Sequence, residues 1–134
     1  MKRIYVHDFS FDYVKLDETS EEKDFFCGIR IYYNFSPVQP GPGFDDLEYF
    51  LISVATPLGL SSYLKRCIEK KIYPSTFFFP NLLIVENWDE DEIMSYLKDE
   101  LQSIYGKNEK EIILKAMKNF GWEHENSQEM YRDI

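Results

Sequence analysis

Histidine and cysteine are scarce: the 134 residues hold two of each, His7, His124, Cys27 and Cys67. No pair of them has metal-ligand spacing, so a zinc module is excluded and no cofactor is expected. Two thiols make no disulfide scaffold. One lies in a strand-like run and the other on a helix-like face, so both read as reduced core residues of a cytoplasmic protein, and their distance in space is left to the fold. Long apolar runs are missing too. The most apolar window, FFFPNLLIV from Phe77 to Val85, is broken by Pro80 and Asn81 and falls far short of the roughly 20 residues that span a bilayer. Met1-Lys2-Arg3 leads into a stretch interrupted by Asp8 and Asp12, so no targeting signal is expected and the chain should start at Met1.

Positive charge is also short. Fifteen Lys and Arg stand against 24 Asp and Glu, a net charge of -9. That balance repels nucleic acid and anionic membranes and attracts basic partners, although solubility alone accounts for such charge in many domains.

What is present suffices for one compact domain over residues 1–134, since 44% of residues are hydrophobic and 17% aromatic. Ile4 and Val6 suggest a short first strand, and LDETSEEKD (Leu16 to Asp24) a solvated loop. FFCGIRIYYNF then alternates, with Phe25, Cys27, Ile29, Ile31, Tyr33 and Phe35 on one face. After the turn-rich SPVQPGPGFDD, Phe50, Ile52 and Val54 mark a second strand, giving an antiparallel hairpin with a wide loop. SSYLKRCIEKK is an amphipathic helix with Leu60, Tyr63, Leu64, Cys67 and Ile68 on its apolar face. NLLIVENW is apolar on both faces and reads as a central strand. Asp89 with Glu92, then Asn108 with Glu111, cap two further helices. Ile93, Met94, Leu97, Leu101, Ile104 and Tyr105 mark the face of the first as far as Gly106, and Ile112, Ile113, Ala116, Met117 and Phe120 that of the second. Trp122 should pin the last segment to the domain. The fold expected is α+β: an antiparallel sheet of about four strands, with about three helices starting near Pro57, Asp89 and Asn108 packed mainly on one face.

Little here points to catalysis. In LISVATPLGL, Pro57 suits a first helical position and Thr56 a cap, whereas a nucleophile elbow or phosphate loop would need glycines that the corner lacks. Asp89 to Glu92 form an acidic cluster, but a helix start favours carboxylates without any metal. Gly41-Pro42-Gly43 has no following helix to orient an anion site. Tyr32, Tyr33, Phe77, Phe78 and Phe79 serve a core or a loop anchor more readily than a ligand groove. No catalytic residue is assigned, and the protein is expected not to be an enzyme.

The strand ending in Thr56-Pro57 with Leu60, the strand Leu83-Ile84-Val85-Glu86 leading into an acidic helix start, and the closing Trp122-Glu123 are together similar to the immunity protein 8 family of bacterial polymorphic-toxin and contact-dependent inhibition systems. The similarity covers about residues 25 to 131, although members often carry tryptophan where this chain has Gly59. The resemblance implies a cytoplasmic protein, a monomer or weak dimer, that binds a cognate toxin domain and blocks it. It carries over no toxin-contact residues. Charge supplies candidates, because a nuclease-like toxin must be basic to hold phosphates. Asp45, Asp46 and Glu48 at the hairpin loop and Asp89, Glu90 and Asp91 at the helix start are favoured over Glu18 to Asp24, since ordered carboxylates lose less entropy on binding. The alternatives are an acidic adaptor module, separable by a pull-down, and a small hydrolase, which would need a pocket of convergent polar groups near Cys27 or His7.

Overall fold

The computed structural model describes residues 2–13, 24–38, 47–72 and 79–124. Strands β1 (Tyr5–Tyr13), β2 (Phe26–Asn34) and β3 (Glu48–Ala55) run antiparallel, each to the next. Helix α1 (Pro57–Glu69) carries the chain to β4 (Leu82–Ile84), which lies parallel to the last residues of β3. Helices α2 (Glu90–Gln102) and α3 (Glu109–Ala116) follow, and β5 (Gly121–Trp122) pairs antiparallel with Phe50 and Leu51. The sheet is therefore mixed and mostly antiparallel, with β3 at its centre, and the class is α+β.

The first strand is longer than Ile4 and Val6 suggested. Asp8 and Asp12 do not end it, because they alternate with Phe9 and Phe11, which pack against the core while the carboxylates face outward. A register shift between Val6 and Asp8 makes this possible. The extra residue, His7, resets the alternation so that Val6 and Phe9 both face inward. Its Nε2 lies 2.7 Å from Asn34 Oδ1 and 3.1 Å from the Ser36 carbonyl oxygen. Both are acceptors, so this nitrogen carries the proton and His7 clamps the strand ends.

β4 corrects one expectation: it is an edge strand and not a central one. Leu83 and Val85 pack on the core, but Ile84 between them is 46% exposed. The unbroken apolar run imitates a strand buried on both faces, whereas only its alternate residues reach the interior.

Between the sheet and helices α2 and α3 lies the core, with Ile29, Ile31, Tyr33, Phe50 and Val54 meeting Ile93, Leu97, Leu101 and Ile112. Asp89 and Asn108 start these helices as expected: Asp89 Oδ1 accepts from the Glu92 amide at 3.2 Å, and Asn108 Oδ1 from the Glu111 amide at 2.9 Å. α1 instead meets the next residue along β2, with the Tyr63 ring stacked on Phe26 at 3.8 Å between centroids. Phe26 alternates with Cys27 and Ile29, so α1 reaches the sheet from the side opposite the core. Among the described residues, no helix covers the middle of that second face.

The Thr56-Pro57 corner is held by hydrogen bonds. Thr56, fully buried, accepts at Oγ1 from the amides of Gly59 at 3.1 Å and Phe25 at 3.0 Å. The helix start lies so close to β2 that a Cβ on Gly59 would come within 2.0 Å of the Phe25 carbonyl oxygen. No side chain fits there. The corner turns the chain from β3 into α1.

Candidate functional site: the hairpin end and the open sheet face

Of the favoured acidic residues, Glu48 and the group Asp89, Glu90 and Asp91 sit toward opposite ends of the sheet. Glu48 opens β3, while Ala55 at its other end pairs with Ile84, just before Asp89. At strand rise that separation is roughly 23 Å, so the groups form no single patch. Glu90 and Asp91 are exposed on the first turn of α2, and Asp89 is used as its cap. Asp45 and Asp46 lie outside the described residues, as do Gly41 to Gly43, Phe77, Phe78, the acidic loop except Asp24, and everything after His124.

Around Glu48 the fold assembles a constellation that sequence reading missed. The Tyr33 hydroxyl donates to Glu48 Oε2 at 2.8 Å and accepts from the Trp122 indole nitrogen at 2.8 Å. His124 Nε2 stands 3.5 Å from the other Glu48 oxygen and 3.1 Å from Glu123 Oε1, its ring edge-on to Trp122. Burial first, then the Glu48 carboxylate, pushes the Tyr33 phenol far above its ordinary range. Tyr33 is therefore a fixed donor that orients Glu48.

Glu48, Glu123 and His124 bring three donor atoms within 4.8 Å of one another, an arrangement able to hold a divalent cation. Local spacing gives no sign of it, because Glu48 reaches the other two only through the pairing of β3 with β5. Trp122 was the legible part: it does fasten its segment to the domain.

Cys27 is a poor nucleophile. Cys27 and Cys67 are both free and buried. Burial pushes the Cys27 thiol up to about 12, so it stays protonated near neutrality.

The open sheet face carries a groove of about 650 Å³, with Ser10 and Asp12 on β1, Gly28 and Arg30 on β2, and Leu51 and Ser53 on β3. Arg30 is exposed, and its guanidinium stands 5.2 Å from the centre of the Tyr49 ring, which meets Tyr32 edge-on at 5.7 Å. Leu51 is 40% exposed in the middle of this face. A second groove, of about 930 Å³, runs between β4 and the start of α2 beside Trp88 and Tyr96. Among the described residues, no helix is long and apolar enough to cross a membrane.

A sequence model of the family described as Immunity protein 8 matches residues 40–127. The match begins after β2 and takes in β3, the corner, all three helices and β5. No curated protein matches the chain, and no solved structure does. Since the matched region is more than half of the sequence, the chain belongs to the immunity protein 8 family.

Proposed function

We propose that this protein binds a cognate toxin domain encoded beside it and neutralises that toxin by covering its active site or substrate surface. Family membership carries the reading, because immunity proteins bind toxin proteins. The net charge of -9 supports a basic, nuclease-like partner, whose phosphate-holding surface an acidic inhibitor complements. The protein acts by occlusion, without catalysis of its own, in the cytoplasm where a nuclease would do its damage.

Asp45, Asp46 and Glu48 at the hairpin end form one contact group, and Asp89, Glu90 and Asp91 at the start of α2 the other. Glu48 is fixed by the buried Tyr33 hydroxyl. Asp89 already has a structural use in its cap. Co-expression tests the reading: cells carrying the neighbouring toxin gene should survive with this protein and die without it. Equal death in both cultures would end the immunity reading.

A further inference from the structure

Among the described residues, nothing requires Gly28 to be glycine. It sits inside β2, paired with Asp12 on one side and Ser53 on the other. Among the described residues, a Cβ built there would meet only the Asp12 Cβ, at 4.0 Å, which is ordinary contact. Glycine in a strand interior weakens the strand and leaves nothing to pack, and such a residue often marks where another backbone approaches closely. Gly59, by contrast, is demanded by the Phe25 backbone.

The missing side chain forms the floor of the groove on the open sheet face. Around it stand the elements of a binding hot spot. Arg30 is held against Tyr49, Tyr49 against Tyr32, and Leu51 is exposed between them and the floor. Arginine and tyrosine on rigid strands, beside a pocket, are the residues that dominate binding energy at interfaces. One rim is acidic: Asp8 and Asp12 are exposed on β1, and no ion pair among the described residues involves either of them or Arg30.

We infer that this groove is where the toxin domain docks, inserting a projecting loop over Gly28, with a basic side chain facing Asp8 and Asp12 and an apolar one against Leu51. This rests on the immunity reading and adds the surface and the chemistry of the contact. Charge complementarity chooses the occupant: a basic loop suits the two carboxylates on the rim, and Arg30 takes a carbonyl or carboxylate of the same loop. Tyr49 shares this face with Leu51 and Ser53, while Glu48, one residue earlier, points to the core side, where Tyr33 holds it.

The experiment measures binding of the full chain to the catalytically inactivated toxin domain from the neighbouring gene. Wild type, Gly28→Val, Arg30→Ala and the pair Asp8→Lys with Asp12→Lys are compared by calorimetry and thermal unfolding. Gly28→Val should keep or raise the melting temperature, because valine suits a strand, while affinity drops about 30-fold as the floor fills. Arg30→Ala should lose roughly 10-fold, and the aspartate pair should lose association rate. If wild type binds tightly and both Gly28→Val and Arg30→Ala bind as well as it does, the groove is not the docking site. If Gly28→Val instead abolishes self-association and leaves toxin affinity intact, the occupant is a second copy and the proposal falls. If wild type itself fails to bind, the immunity reading fails and takes this one with it.

Discussion

The indole nitrogen of Trp122 donates to the Tyr33 hydroxyl at 2.8 Å, joining the last described strand to the second across 89 positions of chain. The Tyr33 hydroxyl in turn donates to Glu48, so three residues from three strands form one directed chain of hydrogen bonds. Trp122→Phe removes the donor and keeps most of the ring, and should cost about 1–2 kcal/mol in urea unfolding. Tyr33→Phe leaves both neighbours without their partner and should cost at least as much. The double variant should cost less than the sum, since the two share one interaction. Strict additivity would show that the bond contributes nothing.

The corner allows a sharper test. Thr56→Val keeps the volume and deprives the Gly59 and Phe25 amides of their acceptor, at about 2–3 kcal/mol. Thr56→Ser should remain close to wild type. Gly59→Ala must push α1 away from β2 and should cost about 3 kcal/mol or more. Denaturant midpoints read all three, and a harmless Gly59→Ala would mean that the helix start sits farther from the strand.

Alkaline pH should destabilise the fold. Burial raises both the Cys27 thiol, from 9.0 to about 12, and the Tyr33 phenol. Above pH 9 the unfolded chain gives up protons that the folded chain keeps. Fewer protons are then bound in the unfolded state, and stability falls as pH rises. Each group contributes up to about 1.4 kcal/mol per pH unit once its unfolded form titrates, the thiol first and the phenol from about pH 10. Both contributions are fully present at neutral pH. Urea midpoints compared at neutral pH and near pH 10 check the sign, and Tyr33→Phe should flatten the upper part of the decline.

Association with a basic toxin domain should slow as salt rises, because screening shortens the reach of the -9 charge. Reversing Asp45, Asp46 and Glu48 together should reduce the association rate more than reversing charges between Glu18 and Asp24. Reversal of Asp89, Glu90 and Asp91 also removes a cap worth about 1 kcal/mol, so its unfolding curve must be measured alongside. A rate indifferent to salt would remove charge from the recognition.

The elements legible in the sequence were those with a local cause. Asp89 and Asn108 announced their helices through side chains that satisfy amides three residues on, and Cys27 to Tyr33 announced a strand by strict alternation. β1 was read short because the bulge at His7 breaks the alternation that would have extended it. β4 was misplaced because an apolar run reports the residues available for burial and not how many neighbours a strand has. At the candidate site, Glu48 was chosen for charge alone. Its partners Tyr33, Glu123 and His124 come from β2 and from the segment around β5, and pairings over such distances leave no trace in local spacing.

β5 supplies only two residues to the sheet, yet it closes the free edge of the central strand. Before Gly121 and Trp122 have been synthesised, Phe50 and Leu51 have no ladder partner on that side, and the Tyr33 hydroxyl lacks its donor. A growing chain therefore carries an unfinished sheet until residue 122 has been made. Contacts so distant in sequence form late and cooperatively. The stepwise addition of residues thus becomes a single, delayed event, with the finished surface presented only after the strand at residues 121–122 locks into place.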